Sequence, residues 1–113
     1  MFNKSFLSAL SNKNLDEKLN QLISSEREML TEIIIHIREV DSRKMYLDFG
    51  YASLFDYLTL RMGYANASAQ RRINAARLSM EVPEVINHIE SGGINLSQIS
   101  VMAQALRQAP KGF

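Results

Sequence analysis

The chain contains no cysteine, which excludes disulfide bonds and metal sites built on thiolates. It has only five glycines and two prolines among 113 residues, so the residues that form β-hairpin turns are scarce. The most apolar run, Ile33 to Ile35, is too short to span a membrane, and the N-terminus lacks the basic-then-apolar order of a secretory signal. We therefore expect a cytoplasmic protein.

Helical periodicity dominates what is present. Apolar residues make up 46% of the chain, enough for a core, and no stretch alternates as a strand would. We predict an all-α fold: a compact multi-helix bundle with a long N-terminal helix and a helix-turn-helix-like unit. Residues 1–13 are expected to form an N-terminal segment with a short helix, 14–108 a single helical domain, and 109–113 a tail.

A long apolar stripe runs from Leu15 to Val40 and holds the helical period for about seven turns. Asn14 is a predicted helix start, and a second capping box at Ser25 to Glu28 leaves open whether the stripe is one helix or two meeting near Ser24. The stripe is longer than a few short helices can cover, so we predict a homodimer. Its expected contacts are Leu22, Met29, Leu30, Ile33, Ile34 and Ile37.

Further helix boundaries follow from capping residues and glycines. Ser53 is predicted to cap a helix that ends at Gly63, and Asn95 to cap a last helix. Between them, residues 66–80 form the predicted basic helix, followed by a short helix after Pro83. The inward side of the basic helix should consist of small and apolar residues: Ala69, Ile73, Ala76 and Met80.

Positive charge is concentrated in the middle of the chain. Residues 41–80 carry a net charge of +3, whereas 1–40 and 81–113 carry −1 each, so the overall charge is only +1. Residues 61–80 hold four arginines and no acid. Arginine, amide and small hydroxyl side chains at the surface of a helix contact DNA phosphates and base edges. The expected DNA contacts are Arg61, Ser68, Gln70, Arg71, Arg72, Asn74 and Arg77.

Residues 53–80 also have helix-turn-helix proportions. A helix of about nine residues leads through a glycine turn into the basic helix, whose first residues would meet base edges in the major groove. The alternative interpretation is a homo-oligomerisation or protein-interaction module without nucleic-acid binding. In that case residues 15–40 pair between copies, and Arg71 and Arg72 are solvated or form ion pairs with Glu26, Glu28 or Glu32.

Residues 22–108 resemble the helical N-terminal domain found upstream of the catalytic module in bacterial HNH endonuclease-type proteins. The residues that carry the resemblance include 25–28 (SERE), 36–40 (HIREV), 46–51 (YLDFGY), 53–57 (SLFDY), 69–78 (AQRRINAARL), 83–85 (PEV) and 96–97 (LS). The resemblance implies a helical, DNA-associated domain that accompanies a nuclease. The nuclease motif itself requires paired histidines beside a metal ion, and this chain has only His36 and His88.

No catalytic group is predicted. His36 lies near the apolar stripe, where a core or helix–helix hydrogen bond explains it better than a metal ion, and His88 should be a surface residue. No serine has an evident base beside it, and no glycine-rich phosphate loop is present. The density of aromatic residues between Tyr46 and Tyr57 favours core packing over base stacking. We expect a non-enzymatic protein without a cofactor, metal ion or small-molecule substrate.

Overall fold

A computed structural model of the protein describes residues 4–108. These residues form helices joined by turns, with no β-strand among them, which confirms the predicted all-α class. The residues predicted to form a tail, 109–113, lie outside the described part. The helices are α1 (Lys4–Ala9), α2 (Asn12–Arg43), α3 (Leu54–Asp56), which continues as a π-helical turn (Tyr57–Arg61), α4 (Asn66–Glu81), α5 (Val85–Ser91) and α6 (Leu96–Gln108).

The long apolar stripe lies on one helix, α2, which is 32 residues and therefore about 48 Å long. The hydroxyl of Ser11 caps it by accepting a hydrogen bond from the Asn14 amide at 3.1 Å, so the helix begins earlier than predicted. Ser25 lies in the helix interior, where the backbone N–H groups bond within the helix and do not need a cap. Lys44, with a left-handed φ of 52°, ends the helix.

Helix α4 lies at the centre of the fold, packed against α2 on one side and α6 on another. Ala69, Ile73 and Ala76 face inward, as predicted, whereas Met80 is 50% exposed and lies outside the core. The small alanine side chains allow the neighbouring helices to approach closely. Helix α3, the π-helical turn and α5 complete the enclosure with one or two large side chains each. The buried apolar residues are Ile34, Ile37, Leu54, Tyr57, Leu58, Ala69, Ile73, Ala75, Ala76, Leu78, Val85, Ile89 and Ile99.

Two predicted caps are confirmed. The Ser53 hydroxyl accepts a hydrogen bond from the Asp56 amide at 3.0 Å at the start of α3. Asn95 and Gln98 form a reciprocal capping box at the start of α6, with hydrogen bonds of 2.9 and 2.8 Å. Because these local patterns satisfy the first amides of each helix, they fix where α3 and α6 begin.

The two halves of α2 have different surroundings. Every residue from Ser11 to Glu26 is exposed, whereas Ile34 is fully buried and Ile37 is 5% exposed in the core of the same chain. This corrects two of the expected dimer contacts, because side chains already buried within the chain cannot also contact a second copy. None of the helices within residues 4–108 combines the length and apolar character needed to cross a membrane.

Candidate nucleic-acid interface

The unit from Ser53 to Glu81 is a helix, a tight turn and a second helix. The π-helical turn after α3 closes with a hydrogen bond from the Met62 amide to the Tyr57 carbonyl at 3.2 Å. Gly63 follows with a φ of +83°, a left-handed conformation that favours glycine, and the chain then enters α4 at Asn66. A helix-turn-helix arrangement typically places such a glycine in its turn.

The first two turns of α4 present one exposed polar face. Asn66, Ala67, Gln70 and Arg71 are all exposed, and their spacing puts them on the same side of the helix. We call these four residues the leading face of α4. The N-cap residue, Ala65, offers no side-chain hydrogen bond, so the first backbone amides of α4 have no side-chain acceptor at the cap.

Arg71 is the one of the four arginines whose side chain has no partner within the described residues. Its side chain is exposed, and within residues 4–108 it makes no ion pair, side-chain hydrogen bond or ring contact. The nearest acids in sequence are Asp56 and Glu81, on either side of the acid-free segment. The guanidinium is therefore available to an external acceptor.

Arg61 and Arg72 are held by aromatic rings. The Arg61 guanidinium lies 4.2 Å from the centre of the Phe49 ring, and that of Arg72 lies 4.6 Å from the centre of the Tyr64 ring. Arg72 also donates a hydrogen bond of 3.1 Å to the carbonyl of Ser68, while its Nε is buried and has no partner among the described residues. Arg61 is exposed, whereas Ser68 and Arg72 are half-buried.

Asn74 does not belong to the exposed face. It is only 8% exposed, and its amide donates a hydrogen bond to the hydroxyl of Ser100 on α6 at 3.3 Å. Its carbonyl oxygen accepts a bond of 3.0 Å from the Gln70 amide. This corrects the expectation of a base contact, because α6 covers Asn74. Gln70 keeps its carbonyl oxygen free of side-chain partners within residues 4–108.

Arg77 is paired inside the protein. Its guanidinium donates two hydrogen bonds, of 3.2 and 3.3 Å, to the carboxylate of Asp41 on α2. The carboxylate is largely buried, whereas the arginine side chain is 57% exposed. The pair ties α4 to α2 and leaves Arg77 less available to DNA than the sequence indicates. Nothing in the local sequence identifies Asp41 as its partner, because 36 residues separate them.

The proposed pairing of Arg71 and Arg72 with acids of α2 is absent. Glu26, Glu28 and Glu32 form no ion pair with either arginine within the described chain. The glutamate of α2 that does pair with an arginine is Glu39, whose carboxylate lies 2.7 Å from Nε of Arg43, four residues further along the same helix.

The aromatic cluster is partly a core element. Tyr57 is buried, and the rings of Phe49 and Tyr51 lie with centroids 6.0 Å from its own. Phe49 itself remains 45% exposed beneath Arg61. The interpretation as core packing therefore holds for Tyr57, whereas Phe49 also serves as the platform for an arginine.

The two histidines are both exposed. His36 contacts the carbonyl of Glu32 through Nδ1 at 2.6 Å, within its own helix, so the expected core position is wrong. His88 is a surface residue, as predicted. Within residues 4–108, no group of three or more histidine, aspartate or glutamate side chains is placed to hold a metal ion.

Comparison with known proteins adds no relative: no family model, no curated protein and no solved structure matches this chain. The geometry of α4 and its surroundings is therefore what points to a function.

Proposed function

We propose that the protein binds duplex DNA through the leading face of α4, with the helix-turn-helix unit directing that face toward the major groove. The observation that carries this proposal is the free, exposed Arg71 beside two exposed amide side chains, Asn66 and Gln70, on one side of the helix. Base recognition in the major groove uses these residue types at the start of such a helix.

Each side chain of the leading face has a chemical role in this proposal. Arg71 donates hydrogen bonds to guanine or to a phosphate, and the amides of Asn66 and Gln70 pair with adenine. Ala67 leaves room for a base pair or for a thymine methyl group. The uncapped amides at the start of α4 add the positive end of the helix dipole, which favours a nearby phosphate.

Arg61 and Arg72 support the same surface from either side of the turn. Stacking on Phe49 and Tyr64 restricts the two guanidinium groups before any DNA arrives, which lowers the entropy lost on binding. In this proposal both contact phosphates and carry no sequence information.

Helix α6 packs over Asn74 and so limits how much of α4 can enter a DNA groove. Only about the first two turns of α4 can enter a groove, so the interface is small and its affinity is expected to be modest. With two or three phosphate contacts, the slope of log affinity against log salt should lie near −2 to −3.

The direct test is fluorescence anisotropy of a labelled duplex titrated with the intact protein at salt concentrations from about 50 to 200 mM. Binding that weakens with the slope given above supports the proposal. No binding at about 50 mM salt with up to about 100 μM protein contradicts it, because non-specific contacts alone reach this range. Equal affinity for single strands would contradict the major-groove mode.

The proposed role is non-catalytic and cytoplasmic. The resemblance to the domain that precedes HNH modules supports a role in which this protein holds DNA for a separate nuclease. That support comes from sequence motifs alone, so the proposal depends on the α4 site.

A further inference from the structure

A second apolar surface lies along α2, outside the core except at its C-terminal end. Leu15, Leu19, Leu22, Met29 and Ile33 are spaced by four, three, seven and four residues, the a/d spacing of a coiled coil in which Glu26 takes the remaining position. We call these five residues the α2 seam. The first four are 45%, 55%, 47% and 63% exposed. Ile33 is half-buried and packs partly against the core, whose buried contacts on α2 are Thr31, Ile34 and Ile37.

The exposed half of α2 needs a partner. Residues 11–26 are all exposed within the described chain, yet they hold a regular helix with three partly exposed leucines. An isolated helix of this length is marginal in water, because most helical stability in proteins comes from packing an apolar face. We infer that a second copy of this chain packs antiparallel along the α2 seam and forms a two-fold symmetric dimer.

Charge decides the orientation. A parallel, in-register pair would set Glu26 directly against its own copy in one layer of the seam. An antiparallel pair places Leu15 opposite Ile33, Leu19 opposite Met29, and Leu22 opposite Glu26 of the second copy. The two Glu26 residues are then offset by four residues, about 6 Å along the axis.

The same register pairs opposite charges on the flank of the seam. It brings Lys18 beside Glu32 of the second copy, and the two-fold symmetry produces this pair twice. Both side chains are exposed, and neither forms an ion pair within residues 4–108. A parallel pair would instead place each of them beside an isoleucine.

A groove extends the seam at its C-terminal end. It has a volume of about 570 Å³, and its lining includes Met29, Ile33, His36, Tyr57, Met62 and Tyr64. In the antiparallel register the N-terminal end of the second copy's α2 runs toward this groove. The leucines at the start of one copy's seam therefore approach the apolar groove of the other copy, which adds to the contact between the two α2 helices.

The first test is the mass of the intact protein by light scattering or sedimentation between about 1 and 100 μM. A dimer of twice the 12.8 kDa chain mass is expected at the upper end. Leu19→Glu should raise the dissociation constant at least about 100-fold without unfolding the core, since Leu19 is exposed within one chain. Leu60→Glu is the matched control, because Leu60 is 72% exposed outside the seam and its replacement should leave the dimer intact.

The register is tested by charge reversal. Lys18→Glu and Glu32→Lys should each weaken the dimer several-fold, and the combination of both in one chain should restore it, because each exposed charge pair contributes modestly. Failure of the double variant to recover would overturn the register.

The orientation of the two copies is tested with single cysteine substitutions. The wild-type chain contains no cysteine, so any disulfide must come from the introduced residues. In the antiparallel dimer Leu19→Cys lies ten residues, about 15 Å, from its own copy and cannot cross-link, whereas a mixture of Leu19→Cys and Met29→Cys should form a mixed disulfide. Cross-linking of Leu19→Cys with itself would indicate a parallel pair and overturn the inference. A monomer at every concentration, or a dimer insensitive to Leu19→Glu, would overturn it as well. None of these measurements depends on DNA binding.

Discussion

The two ends of α4 differ in what surrounds them. At the start, Asn66, Ala67, Gln70 and Arg71 face outward, whereas Ala75, Ala76, Leu78 and Ser79 near the end are enclosed by other helices. The two arginines on these halves, Arg71 and Arg77, are both exposed, but only Arg77 has an ion-pair partner. The difference is that the arginine near the end of α4 ties the helix to α2, whereas the exposed side of its start has no charged partner within residues 4–108.

The largest expected effect is on stability, when an alanine near each end of α4 is replaced by aspartate. Ala76→Asp should destabilise the protein by about 3 kcal/mol or more, because it buries an unpaired carboxylate at a fully enclosed position. Ala67→Asp should leave stability within about 0.5 kcal/mol, since it adds an exposed acid near a helix N-terminus. Urea unfolding followed by circular dichroism measures both. Similar losses from the two variants would contradict the division of α4.

A smaller effect is expected where α6 covers α4. Asn74→Ala should cost about 1–3 kcal/mol of stability, because it removes a buried amide and leaves the Ser100 hydroxyl without that donor. Asn66→Ala, on the exposed face, is the control and should change stability by less than about 0.5 kcal/mol. If Asn74→Ala unfolds like the wild type but loses DNA affinity, the assignment of Asn74 to packing is wrong.

The smallest expected effect concerns the ion pair at the end of α4. Arg77→Ala should cost less than about 1 kcal/mol, because the arginine is more than half exposed and solvent screens its attraction to Asp41. A double-mutant cycle with Asp41→Asn isolates the coupling between the two side chains. A coupling well above 1 kcal/mol would mean that the pair is a stronger tie between α2 and α4 than its exposure allows.

Local patterns in the sequence predict the helices well. The basic helix was expected over 66–80 and spans Asn66–Glu81, and the caps at Ser53 and Asn95 form the expected hydrogen bonds. These features depend on residues three or four apart, which the sequence displays directly. The capping box at Ser25 misleads for the same reason, since its spacing exists whether or not the helix begins there.

Contacts between distant residues could not be predicted in this way. Asn74 and Arg77 have the residue types of DNA contacts, and only the packing of α6 and the position of Asp41 withdraw them from the surface. Likewise, the stripe on α2 contains two faces, one buried through Ile34 and one exposed through Leu19, that consist of the same kinds of residue. Helical period alone identifies the apolar positions but not the helix that covers each of them.

The central claim is that the start of α4 contacts DNA and its end does not. The most direct measurement compares the duplex affinity of Arg71→Ala and Arg77→Ala with that of the wild type, by anisotropy at about 50 mM salt. Both variants lose one positive charge from the same helix, so the long-range electrostatic change is matched. We expect Arg71→Ala to weaken binding about tenfold or more, since a good contact is worth roughly 1–3 kcal/mol, and Arg77→Ala to weaken it less than about threefold. Equal losses from the two variants, or no measurable duplex binding by the wild type, would contradict the account.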